Sequence, residues 1–185
     1  MIMERNLKVV ITGGPGSGKS SLIAALKKKG HLCYEEFSRQ LIDDGKKRGM
    51  ENFFLENPLA FSKGLIEERI AQYIAAHSLP LNHPHPWVFF DRGLPDVIAY
   101  LNVMGEKSDS LDLNIKNYPY DRVVFLPPWE TIYCKDEQRM ENFEQARVLS
   151  EALWDAYSKT SFPLFELNKG TLTERVDELE KYLLQ

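Results

Sequence analysis

Cysteine is scarce: only Cys33 and Cys134 occur in 185 residues. They lie far apart and form no C-x-x-C pair, which excludes a disulfide scaffold or a zinc framework. Cys33 sits in an apolar, strand-like run and reads as a small buried hydrophobe. Long apolar runs are also missing. No stretch approaches the ~18 residues of a membrane span, and the N-terminal residues Met1 to Asn6 lack the hydrophobic region of a signal peptide. The expected compartment is therefore the cytoplasm, with no membrane partner. Nor is there an excess of positive charge. Against 23 Lys and Arg stand 27 Asp and Glu, a net charge of -4, so no nucleic-acid partner is expected. Repeats and low-complexity tracts are absent. His83 and His85 flank prolines in a loop, but no other residue with ligand spacing is nearby, so a metal there is not expected.

What is present suits one globular domain over residues 1–185, with 43% hydrophobic residues for a full core. Short apolar runs alternate with longer helical patterns, which predicts an α/β fold with a mainly parallel sheet. Strands are expected at Leu7 to Thr12, Leu32 to Tyr34, Trp87 to Phe90, Arg122 to Leu126 and Phe162 to Leu167. Helices are expected at Lys19 to Lys29, Ser38 to Lys47, Pro58 to about His77, Pro95 to Met104, Asp136 to Lys159 and Thr171 to Leu184. Asn57 before Pro58 is a helix start, with Leu65, Ile66, Ile70, Tyr73 and Ile74 on one face of the helix that follows. Gly105 to Pro119 reads as a polar excursion.

The chemistry begins after the first strand. Gly13-Gly14-Pro15-Gly16-Ser17-Gly18-Lys19-Ser20 meets the spacing G-x-x-x-x-G-K-[ST] of the Walker A phosphate loop, or P-loop. Its glycines let backbone N–H groups approach phosphate oxygens. Lys19 supplies a cation to the β- and γ-phosphates, and the Ser20 hydroxyl suits Mg2+. Ser21 continues into the helix, whose positive N-terminal end adds to the site. The expected ligand is a nucleoside triphosphate, ATP in preference to GTP. Asn168-Lys169-Gly170-Thr171 superficially resembles a guanine-reading Asn-Lys-x-Asp, but threonine stands in the acid position.

Asp91 and Arg92 close the third strand, where ligands meet an open α/β sheet. Asp91 could hold Mg2+ or accept a proton from a substrate hydroxyl, and Arg92 could grip a phosphate. Motor-type ATPases commonly place a glutamate after this aspartate. Arginine here favours phosphoryl transfer over a dedicated hydrolase. On the acceptor side, Glu35 and Glu36 end the second strand, Arg39 follows one turn into the next helix, and Asp96 opens the helix after Asp91. Asp96 either contacts substrate or complements the helix dipole. For Phe53, Phe54 and Phe61 a core role is favoured over a ring pocket. A basic lid is sought in Lys135, Arg139 and Arg147, which share an arc of about 120° on a helix. Arg139 is the first choice. The same helix carries acids, so ordinary i,i+4 surface pairs are the alternative.

The phosphate loop, the segment Phe90-Asp91-Arg92-Gly93-Leu94-Pro95-Asp96, and Leu126-Pro127-Pro128-Trp129-Glu130 with Asp136-Glu137-Gln138-Arg139 together resemble a known family. They are similar to small AAA-type ATPase/kinase domains related to the ribosylnicotinamide kinase domain of the NAD-biosynthesis regulator. The Asp91-Arg92 pair is also similar to the Asp-Arg pair of thymidylate kinases and the Glu-Arg pair of deoxynucleoside kinases. The resemblance implies a three-layer P-loop fold with a five-stranded parallel sheet in the order 2-3-1-4-5. It implies Asp91 at Mg2+ or the acceptor, Arg92 at the acceptor phosphate or donor, and Arg139 in the lid. Further thymidylate-kinase substrate motifs are missing, which argues against thymidylate itself. The expected function is an Mg2+-dependent kinase passing the γ-phosphate of ATP to a nucleoside, a nucleotide or another small hydroxylated metabolite. The alternative is a regulatory or housekeeping ATPase or GTPase acting through a protein partner.

Overall fold

Each of the expected apolar runs becomes a strand, and the five strands form one parallel sheet. They are β1 (Leu7–Gly13), β2 (Leu32–Tyr34), β3 (Trp87–Asp91), β4 (Arg122–Leu126) and β5 (Leu164–Glu166), in the order β2-β3-β1-β4-β5. The computed structural model describes residues 5–80, 85–106, 111, 114–133 and 143–185. Seven α-helices lie among these: α1 (Lys19–Lys28), α2 (Ser38–Lys47), α3 (Phe53–Glu56), α4 (Pro58–His77), α5 (Leu94–Val103), α6 (Phe143–Ser158) and α7 (Leu172–Leu183).

Side chains alternate across the sheet. Val9, Ile11, Phe89, Val124 and Leu126 meet Leu22 and Leu26 of α1 and Val176 and Leu179 of α7. On the other face Val10, Val88, Phe90 and Val123 pack with Tyr120, Tyr157 and Phe162. Phe125 meets Leu149 and Leu153 of α6. Because both faces are covered, the inner strands read as unbroken apolar runs rather than alternating ones. The result is the three-layer α/β architecture that the resemblance implies.

The second apolar layer rests on α4. Asn57 caps it, accepting from the Ala60 N–H at 3.1 Å, and Pro58 occupies the first turn, where its missing N–H costs nothing. Phe61, Leu65 and Ile66 pack on Leu94, Val97 and Leu101 of α5. Ile74, expected on the same face, is 55% exposed, because the buried line there runs through Tyr73 and Ala76. The rings of Phe53 and Phe54 meet Phe61 edge-on at 5.6 and 5.3 Å, a packing role. Among the described residues of the polar excursion, Ile115–Asn117 form a short 3-10 turn. No helix among the described residues is long and apolar enough to cross a membrane.

Candidate active site

Three neighbouring strands deliver the site. β1 ends at Gly13, β3 at Asp91, and β2 at Tyr34, immediately before Glu35 and Glu36. The parallel register sets Ile11 beside Asp91 and Tyr34 beside Phe90. The C-terminal strand ends therefore open on one side, where the loop from Gly13 to Gly18 turns into α1.

Gly16 and Gly18 take positive φ, 72° and 88°, which only glycine adopts without a steric cost. Ser17 Oγ donates to the Gly14 carbonyl at 2.8 Å. Lys19 Nζ donates to the carbonyls of Gly13 and Gly14 at 2.7 and 2.9 Å. Burial first, and the neighbouring Arg92 second, pull the Lys19 ammonium down to about 7. Ser20 and Ser21 are exposed at the start of α1, with Pro15 half-buried in the loop. From behind, Arg175 of α7 donates to the Ser17 carbonyl at 3.1 Å and lies over Trp129.

Asp91 differs from every other carboxylate around it. Its Oδ1 is buried and has no hydrogen-bond partner among the described residues. Burial, then the charge of Glu36, raise its pKa above the ordinary carboxylate value, with Arg92 and Lys19 working against that rise. An orphaned buried carboxylate oxygen is costly unless a cation or a proton completes it. Its carboxylate oxygens and the exposed hydroxyl of Ser20 are both of the oxygen type that Mg2+ prefers. The residues present thus fit the ion that the motif implies.

Arg92 is buried and its backbone is left-handed, with φ 77°, unusual for a residue with a side chain. Its Nε donates to Glu36 Oε1 at 2.8 Å, and Nη1 reaches Asp96 Oδ1 at 3.1 Å and the Gly13 carbonyl at 3.3 Å. Burial opposes its charge, but Glu36, Tyr100, Asp96 and Asp91 outweigh it and hold the guanidinium protonated. Burial would also push Glu36 upward. Arg92, Lys19 and Arg69 overcome it and hold this carboxylate at about 2.

Glu36, Asp91, Arg92 and the phosphate loop therefore converge. Among the described candidates, Glu35 and Arg147 stand apart, and Asp96 joins the group through Arg92. Glu35 is 73% exposed and pairs with Lys27 on the surface, because it projects away from the crevice that Glu36 faces. Asp96 is fully buried. It accepts from Thr12 Oγ1, Arg92 Nη1, the Gly93 N–H and the Tyr157 hydroxyl, which leaves no lone pair for a substrate. Arg147 pairs on the surface of α6 with Glu144 and Glu151, the i,i+4 alternative rather than a lid. Lys135 and Arg139 lie outside the described residues, as does the side chain of Arg39. Asn168 donates to Glu178 and Thr171 caps α7, so that tetrapeptide starts a helix.

Two buried arginines were not anticipated. Arg69 donates to the Gly93 carbonyl at 2.8 Å, and Arg175 supports the loop as described. Each interrupts the apolar stripe of an amphipathic helix, Arg69 between Leu65, Ile66 and Tyr73, Arg175 beside Val176 and Leu179. A cation on a buried helical line is the signal that would have found them.

A family model described as an AAA domain matches residues 8–175. No curated protein matches the sequence. Similar solved structures include deoxyadenosine kinase from M. mycoides with the products dCMP and a flexible dCDP bound, at 18% identity and a TM-score of 0.65, covering 96% of this chain and 99% of that one. The same enzyme with bound dATP aligns at 17% identity and a TM-score of 0.65, covering 97% and 100%. The NadR protein in complex with NR aligns at 18% identity and a TM-score of 0.68 over 96% of this chain, which spans 51% of that one. At these identities the likeness is one of fold.

Proposed function

The chain belongs to the AAA domain family, and from that premise we propose that it is an ATP-dependent kinase whose acceptor is a nucleoside, a nucleotide or another small hydroxylated metabolite. The observation that carries this reading is the pair of unlike carboxylates beside the phosphate loop: Asp91 with an unpartnered buried oxygen, and Glu36 held ionised by Arg92. A simple phosphate-binding loop needs neither. The structural likeness to nucleoside-handling kinases supports the same reading at the level of fold.

In this reading Lys19 leaves the loop carbonyls for the β- and γ-phosphates, which restore its charge by proximity. Ser20 and Asp91 would hold Mg2+, which supplies charge neutralisation on the phosphates when bound. Glu36 accepts a hydrogen bond from the acceptor hydroxyl and orients its oxygen toward the γ-phosphorus. The acceptor O–P bond forms as the bond from the γ-phosphorus to the β–γ bridging oxygen breaks. ADP departs, and the hydroxyl proton is released through the carboxylate. Arg92 keeps Glu36 in place, and Arg139 is the proposed lid cation that closes over the transferring group.

The test is ADP release with a panel of nucleosides, nucleotides and small hydroxylated metabolites. At least one acceptor is expected to raise release well above basal. Lys19→Ala is expected to abolish ATP binding. Glu36→Gln is expected to cut acceptor-dependent turnover by roughly 10²-fold or more while ATP binding persists. If no acceptor stimulates release and a protein partner does, the regulatory ATPase is the correct reading.

A further inference from the structure

The fold ties Glu36, just after β2, to a residue of α6. Tyr157, in the last turns of α6, donates its hydroxyl to Asp96 Oδ2 at 2.5 Å. Asp96, on the first turn of α5, receives Arg92 Nη1 on its other oxygen. Arg92 Nε then holds Glu36. Tyr157 and Asp96 are fully buried and Arg92 is 5% exposed, so water cannot substitute for a lost link. The Gly93 N–H and Thr12 hydroxyl complete Asp96. Both oxygens of the aspartate are thus taken by two donors each, Arg92 among them.

We propose that Tyr157 and Asp96 are positioning residues for phosphoryl transfer: they never meet the substrate, and they fix Arg92, which in turn fixes the acceptor-facing Glu36. Arg92 sits on left-handed backbone at φ 77°, a conformation that an arginine keeps only when its surroundings over-determine it. The Asp96 contact is one of those determinants, and the Tyr157 hydroxyl secures the rotamer of Asp96. Burial and then Asp96 push the Tyr157 phenol well above its ordinary value, so it remains a donor at any working pH. This proposal rests on the kinase reading for its catalytic consequence, but not for its geometry.

Two variants and two readouts test it. Tyr157→Phe removes one oxygen and keeps the ring, and Asp96→Asn keeps the shape and removes the charge. The first readout needs no substrate: hydrogen exchange of the Arg92 Nε–H, followed by NMR in the full chain. Exchange is expected to accelerate about ten-fold or more in Tyr157→Phe, the effect of losing one hydrogen bond to a charged group. The second is kinetic. With an accepted substrate, kcat of Tyr157→Phe is expected to fall about ten-fold while the KM for ATP stays within two-fold, since the Tyr157 hydroxyl bonds Asp96 and not the phosphate loop. If Asp96→Asn does not fold, Tyr157→Phe alone carries the test. Unchanged Arg92 exchange in Tyr157→Phe overturns the proposal. So does a parallel loss of ATP binding, which marks general loosening. If the wild type accepts no substrate while Arg92 exchange still responds to Tyr157→Phe, the relay stands and the kinase reading falls.

Discussion

A β-carbon on Gly14 would sit 2.3 Å from Ser150 Oγ and 2.8 Å from the Ala146 carbonyl oxygen. The small residues of α6 let the phosphate loop nest directly against the helix, and a methyl group there must displace one or the other. Gly14→Ala is therefore expected to destabilise the protein by roughly 1–3 kcal/mol, the usual cost of overpacking. Adding Ser150→Gly is expected to recover only part of that, because the backbone carbonyl remains. Urea unfolding of the single and double variants measures both. Full recovery, or no loss at all, would show that the helix yields freely. The glycines and lysine of the loop were legible in the sequence, since their spacing is dictated by a phosphate chain of fixed dimensions. Asp96 was not. A carboxylate at a helix start looks the same whether it faces a ligand or four internal donors, and those donors come from Thr12, Arg92, Gly93 and Tyr157, which only the tertiary fold gathers.

Elements are fixed by a mixture of local signals and anchors distant in sequence. Asp121, just before β4, accepts from the backbone N–H of Lys8 at 2.8 Å and pairs bidentately with Arg5, tying the start of β4 to the start of β1. Burial pushes its carboxyl upward, but the Arg5 and Lys8 contacts outweigh that and lower it. A depressed carboxylate contributes stability above its unfolded value and loses it as the pH falls through the folded one. Asp121→Ala is thus expected to cost roughly 1–3 kcal/mol at pH 7, largely from the stranded Lys8 N–H. The gap from wild type should narrow below about pH 3.9, the ordinary aspartate value. Denaturant unfolding at both pH values decides it, and an unchanged gap would remove the Arg5 pair from the account. Strand positions came through well from the sequence because both sheet faces are covered. The four-residue helix α3 did not: Asn52 opens it by accepting from the Leu55 N–H, and it is too short to show a period. The last strand is shorter than its apolar run: Phe162 packs into the core, and Pro163, which has no N–H, offers only its carbonyl, to Val123.

At the scale of the whole molecule, a chain of net charge -4 is expected to capture a polyanion. The charge for that task is local: Lys19 and Arg92 are buried at the ends of the central strands. Binding at that point joins β1, β3 and α1, so nucleotide occupancy should stabilise the entire fold. At about 100 times Kd, ATP with Mg2+ is expected to add ~2.7 kcal/mol, which in a chain of this size raises Tm by roughly 5–10 °C. Thermal unfolding with and without nucleotide measures it. A Lys19→Ala variant should show no rise, and a wild type that shows none would refute the site. The order of the strands followed from the resemblance rather than from periodicity, which orders nothing. That order also has a consequence for the company the protein keeps. The two outer strands, β2 and β5, are three residues long, while the longer strands lie inside. A neighbouring chain seeking to extend the sheet finds only a few unpaired backbone groups at either rim, too short a template for cross-β growth. The architecture that concentrates binding at its centre also keeps its margins from seeding aggregation.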